Sequence, residues 1–169
     1  MLQRILAFST AFLFVSSLSA APLPDIKMPD NGLPFQLIDG YQDYKIVATH
    51  WRIDKHELRY VLANPIAYKA LQNKQKPLPE GSKMVKIGWS VKPMTAYSDA
   101  LEADKLQRIE FMVKDSNRFD QKGDHWGYAR FVKKGDSYAP YANGSAECVA
   151  CHASVAPNDY LFTTFQPTF

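Results

Sequence analysis

The chain has 169 residues, 20 basic and 17 acidic side chains, and a formal net charge of +3. A charge that mild and evenly spread argues against a nucleic-acid-binding protein. Only two cysteines are present, which excludes a disulfide scaffold, and the length suits one ordinary domain.

The first residues read as an export signal. Arg4 is a short basic region, Ile5 to Val15 is mostly apolar, and Ser16-Ser17-Leu18-Ser19-Ala20-Ala21 is a small-residue cleavage region. This predicts a signal peptide over residues 1–20, cut near Ala20. The apolar run is shorter than the ~20 residues a spanning helix needs. The mature protein is therefore expected in the periplasm, without stable membrane insertion. Residues 21–40 are rich in proline (Pro22, Pro24, Pro29, Pro34) and poor in periodicity, which predicts a loose N-terminal arm. Residues 41–169 are left as a single domain.

Within that domain, Tyr44 to Trp51 is rich in β-branched and aromatic residues and predicts a strand, with a second over Glu57–Leu62 after an Asp54-Lys55 turn. Asn64-Pro65 marks a helix start: Asn can cap free N–H groups and Pro suits the first helical position. Pro79-Glu80-Gly81 ends that region. Lys83 to Val91 alternates, with Val85, Ile87, Trp89 and Val91 on one face and Met84, Lys86, Gly88 and Ser90 on the other. Pro93 to Asp104 reads as an irregular connection. Gln107–Lys114 alternates again, setting Ile109, Phe111 and Val113 against Arg108, Glu110 and Met112. Asp115-Ser116 suits a short helical turn, Gly123-Asp124 and Lys134-Gly135-Asp136 are turns, and Trp126–Val132 is a strand. Ser145 is placed to cap a short helix, and Tyr160–Phe165 is an apolar tail.

That last helix carries the most specific motif, Cys148-Val149-Ala150-Cys151-His152. C-x-x-C-H reads as covalent c-type haem attachment. Each thiol can add across one vinyl group, and the histidine that follows can bind the iron axially. A redox dithiol, half of a zinc site and a plain disulfide are the alternatives. The first prefers an early βαβ turn, which is lacking here, and the second wants a further Cys or His pair. Short strands punctuated by turns, with a few helices, predict an α+β domain. It would be mainly an antiparallel β-sheet with a few short helices, the haem motif lying on a C-terminal helix.

From about Tyr44 to Phe165 the chain resembles the cytochrome P-460 and cytochrome c′-beta family. The resemblance rests on Asn64-Pro65-Ile66-Ala67-Tyr68, Gly81-Ser82-Lys83-Met84-Val85-Lys86, the run Glu110 to Phe119, Trp126, the haem motif and Asp159-Tyr160-Leu161-Phe162-Thr163. It implies a periplasmic homodimer with one haem c per chain, bound by Cys148, Cys151 and His152, with one iron face open. In the P-460 branch a lysine at the position of Lys86 is bonded to a haem meso carbon, and hydroxylamine is oxidised to nitrogen oxides. Electrons would then pass to a periplasmic carrier. Glu110 matches a carboxylate near that haem and would accept protons; Arg59 matches a position that could pair with a propionate. The c′-beta branch lacks the cross-link and binds nitric oxide or carbon monoxide. A plain electron carrier is the third reading, and it needs a sixth ligand such as Met28, Met84, Met94, Met112, His50, His56 or His125. For Lys86 and Glu110 the alternative is an ordinary solvated lysine and a strand carboxylate paired with Arg108. Gly88, beside Lys86, would leave room for a flat ring.

Overall fold

The computed structural model describes residues 21–119 and 124–166. The expected signal peptide lies outside the described residues. Six strands follow one another: β1 (Lys45–Arg52), β2 (Glu57–Ala63), β3 (Lys83–Pro93), β4 (Leu101–Lys114), β5 (Trp126–Lys134) and β6 (Ser137–Pro140). They form one sheet in sequence order, each strand antiparallel to its neighbours. Helix α1 (Pro65–Gln72) lies between β2 and β3, and helix α2 (Ala146–Ala153) follows β6. The mainly antiparallel sheet with a few short helices agrees with the expectation from sequence. Among the described residues no helix is long and apolar enough to cross a membrane.

The two-residue period gives the sheet two different faces. On the back, Leu62, Val85, Ile87, Ile109, Phe111 and Phe131 form one core. On the front, Val61, Met84, Met112, Trp126 and Tyr128 meet Ala67, Ala70 and Leu71 of α1 and Leu161 of the tail. Asn64 starts α1 as expected: its Oδ1 accepts from Ala67 N at 3.1 Å, with Pro65 first in the helix. The same oxygen accepts from Lys83 N at 3.0 Å and Nδ2 donates to Gly81 O at 2.9 Å, so one side chain ties the helix start to the entry of β3.

Several expectations give way. β4 begins at Leu101 rather than Gln107, because it pairs with the far end of β3 through Lys92↔Glu102 and Pro93↔Leu101. Register shifts around Trp89 interrupt the alternation there and hide that pairing from a period-2 pattern. The four-residue β6 follows the Gly135 turn and is too short to show a pattern. Ser145 stands at the start of α2, but its hydroxyl donates to Asp30 Oδ2 at 2.7 Å instead of capping the helix. The tail from Leu161 to Gln166 has no regular structure; Gln166 N donates to Val47 O at 2.8 Å, against the edge strand β1.

Within residues 21–40, the stretch from Met28 to Ile38 is packed rather than loose. Met28, Leu33, Phe35 and Ile38 are at most 1% exposed and complete the back core. The Phe35 ring stacks on Phe131 with centroids 4.2 Å apart and meets Tyr138 edge-on at 5.0 Å. The prolines interrupt periodicity without preventing burial, because the apolar residues between them cover a sheet face that would otherwise be wet. Phe35→Ala is expected to destabilise the fold by about 3–5 kcal/mol, as truncation of a buried aromatic does. A change under ~0.5 kcal/mol in denaturant unfolding, as at a surface position, would return this segment to a loose arm.

Candidate functional site: a charged cavity beside the C-terminal helix

The front face carries charge as well as core. In register across four strands stand Val61, Lys86, Glu110 and Arg130; the next row holds Arg59, Gly88, Arg108 and Val132. Directly opposed residues on one face are close enough to interact. Glu110 Oε1 accepts from Arg130 Nε at 2.6 Å, and Arg108 Nε stands 3.6 Å from the same oxygen. Lys86 Nζ faces Oε2 at 2.5 Å. Lys86 and Glu110 thus form an ion pair between directly opposed residues of β3 and β4. Glu110 is 8% exposed. Burial pushes its carboxyl up, but Lys86, Arg130 and Arg108 together hold it down at about 2.

A second carboxylate lies below this row. Glu57 is 2% exposed; Arg108 reaches its Oε2 at 2.5 Å and Arg59 Nε donates to its Oε1. Gly88 makes this possible, since a Cβ there would stand 3.0–3.3 Å from the Glu57 carboxylate. The space beside Lys86 that Gly88 was expected to leave for a flat ring is thus taken by a side chain of β2.

Helix α2 forms another wall. It follows Gly144, whose φ of 67° turns the chain, and its start is held by Asp30 Oδ2, which accepts from Ser145 N at 2.6 Å. Cys148 is half-buried and Cys151 exposed. They are three positions apart, which sets them on neighbouring turns of one helix face. Burial pushes the Cys148 thiol up, against a smaller opposite pull from Arg130. His152 Nδ1 lies 2.6 Å from Tyr160 O. A carbonyl only accepts, so Nδ1 carries the proton and Nε2 keeps its lone pair. The ring sits between Tyr128 and Phe162, with centroids at 4.9 and 5.1 Å. Burial lowers its pKa, and the Tyr160 carbonyl opposes that shift.

All six residues singled out in the sequence (Arg59, Lys86, Glu110, Cys148, Cys151 and His152) line one cavity of about 940 Å³. Such a volume is in the ~300–1,000 Å³ range of cofactor pockets. Val61, Met84, Met112 and Leu161 supply apolar wall, and Arg108 and Arg130 add cations. Tyr128 Oη is buried there with no hydrogen-bond partner among the described residues. Of the candidate sixth ligands, His50, Met84 and Met112 reach the cavity, while Met28 belongs to the back core. Phe111 turns its ring to the back, stacked on Phe131. Glu57, Arg130 and the Tyr160 carbonyl were not anticipated. The two side chains belong to no motif, and a backbone carbonyl leaves no mark in a sequence. No group of three His, Cys, Asp or Glu among the described residues could hold a bare metal ion, so the second ligand pair required by a zinc site is not assembled there.

The charged row makes an acid-stability prediction. The Glu110 carboxyl falls from an ordinary 4.5 to about 2 on folding. Because the folded value is the lower one, its stabilisation is complete above about pH 4.5 and is lost as pH falls toward 2. Glu110→Gln is expected to flatten this acid limb in unfolding measured between pH 2 and 6, and to lower stability at neutral pH by stranding the cations. An unchanged limb would show that Glu110 is not held by them.

Among known proteins, the Cytochrome P460 family matches residues 38–163, from the end of the packed N-terminal segment to the tail residues that line the cavity. No curated protein matches the chain. The match takes in all six strands, both helices and every side chain of the cavity, so the chain belongs to the cytochrome P460 family, whose members are haem cytochromes.

Proposed function

We propose that this chain is an exported, mono-haem c-type cytochrome that oxidises hydroxylamine to nitrogen oxides and passes the electrons to a periplasmic carrier, working as a homodimer. The observation that carries it is the facing pair Lys86 and Glu110, set inside the same cavity as Cys148, Cys151 and His152. The cavity suits a haem on three counts: apolar walls for a flat macrocycle, Arg59 and Arg108 for its anionic edge, and a histidine whose free nitrogen is the one a metal needs.

Cys148 and Cys151 would hold the haem by thioethers and His152 Nε2 would bind its iron. The bound haem supplies an iron that exchanges electrons one at a time. The chain's own residues do the rest. Tyr160 O fixes the histidine tautomer, and Arg59 takes a propionate. Glu110 takes protons from the substrate as it loses electrons. Lys86 Nζ would be the group linked to a haem meso carbon. Losing one N–H and one C–H hydrogen for the new bond is a two-electron oxidation, and an external oxidant of the peroxide class would take up those electrons and protons.

One observation favours a second reading, gas binding without the cross-link. With Lys86 charged beside it, Glu110 is held at about 2 and is a poor base at neutral pH. In that state the cavity is better suited to capturing nitric oxide or carbon monoxide than to moving protons.

The reduced absorption spectrum and the intact mass of the purified holoprotein decide. A red-shifted Soret band, with a mass short of the displaced hydrogens, is expected, and Lys86→Ala should abolish both. An ordinary spectrum with high-spin ferrous iron assigns gas binding. A low-spin reduced spectrum indifferent to carbon monoxide assigns electron transfer, with a sixth ligand such as Met84, Met112 or His50. Colourless protein, or colour that survives replacement of both cysteines by alanine, overturns covalent haem binding.

A further inference from the structure

We propose that Lys114 and Asp159 form a buried lock, outside the cavity, that positions His152 by fixing the Tyr160 carbonyl against its Nδ1. The inference rests on His152 being the iron ligand.

The chain leaves α2 through a short turn at Ala156–Asn158 and then adopts a rare backbone. Asp159 and Tyr160 have φ of 54° and 61°, two successive non-glycine residues in the left-handed region. L side chains seldom adopt this conformation, and it persists only where the surroundings over-determine it. Here they do. The Asp159 carboxylate is buried and takes three donors: Leu78 N at 2.7 Å, Lys114 Nζ at 2.6 Å and Trp126 Nε1 at 3.2 Å. Lys114 also stands 4.9 Å from the centre of the Trp126 ring. The loop before β3, the end of β4 and the start of β5 therefore converge on one carboxylate.

The next residue delivers the result. Tyr160 N closes back onto Val155 O at 3.2 Å, and Tyr160 O meets His152 Nδ1 at 2.6 Å. Neither Lys114 nor Asp159 lines the cavity, so their influence on the site passes through this carbonyl. A buried ion pair seldom adds stability over a well-packed apolar pair of the same volume. What this one supplies is placement: it dictates where the chain turns and which way the carbonyl points. Hydrogen bonds of this kind orient a metal-ligating histidine and raise its donor strength. Lys114 and Asp159 are positioning residues in this sense.

The test compares two double variants of the holoprotein with the same charge. Lys114→Met with Asp159→Asn keeps a side-chain oxygen for Leu78 N; Lys114→Met with Asp159→Ala keeps none. The readouts are the ferrous iron–histidine stretching band in resonance Raman and the reduction potential. The alanine form is expected to show a band at lower frequency and a more positive potential, since a weaker donor favours ferrous iron. The asparagine form, which lacks the lysine but keeps the Leu78 contact, is expected to shift both readouts the same way by less; an asparagine form at wild-type values overturns the role of Lys114. A folded, haem-loaded alanine form that matches the asparagine form in both readouts overturns the proposal. Should the alanine form fail to fold, Trp126→Phe removes one donor alone. It is expected to shift both readouts in the same direction by less, and no shift overturns the proposal. A wild-type protein whose ferrous haem is five-coordinate and high-spin yet shows no iron–histidine band overturns instead the ligand assignment beneath it.

Discussion

Burying a carboxylate is costly unless cations come with it, and the front of this sheet is arranged around that constraint. Glu57 and Glu110 are both below the surface, and between them they hold Arg59, Lys86, Arg108 and Arg130. Arg108 touches both carboxylates and joins the two groups into one network. Exposed ion pairs contribute little and leave their side chains free to wander. These contribute geometry: four long, flexible cations are fixed along a cavity wall by two acids, one on β2 and one on β4.

The wall opposite comes from the end of the chain, and it reaches the sheet through the N-terminal segment. Asp30 accepts from both the backbone and the hydroxyl of Ser145, and Asn31 Nδ2 donates to Tyr128 O at 2.8 Å. Met28 and Phe35 nearby are sealed into the back core. One stretch thus grips the back of the sheet, the backbone of β5 and the first turn of the cysteine-bearing helix. The spacing between the charged row and His152 depends on a segment remote from both in sequence.

How much of this a sequence can show depends on whether the signal is local. Lys83 to Trp89 and Ile109 to Val113 alternate cleanly because each residue there serves one face, so the pattern alone sets Lys86 and Glu110 on the polar side. Asn64-Pro65 is legible because a cap and its helix are neighbours. The C-x-x-C-H spacing is legible because the chemistry fixes it. Long-range contacts are not. Nothing near Gly88 says that a β2 carboxylate fills the place of its missing side chain, and nothing near Ser145 says that Asp30, 115 residues away, will claim its hydroxyl. The proline-rich segment reads as loose for the same reason: its burial is decided by the bare sheet face it covers, not by its own periodicity.

The two roles proposed for the facing pair are physically one. Lys86 is the first of the cations that hold the Glu110 carboxyl at about 2, ahead of Arg130 and Arg108. A lysine nitrogen bonded to an aromatic macrocycle carbon no longer carries an ammonium charge. Forming that bond would therefore remove the strongest of the three pulls and leave burial, which acts the other way, less opposed. Arg130 would keep its contact at 2.6 Å, and Arg108 its more distant one. The carboxyl would rise from its depressed value, with the two arginines still opposing burial. On this argument a cross-link would do more than alter the iron: it would loosen the hold on an acid otherwise locked in its charged form. A chain that keeps Lys86 as a free ammonium would keep Glu110 as a structural anion, and the same cavity would then suit the gas-binding reading proposed above.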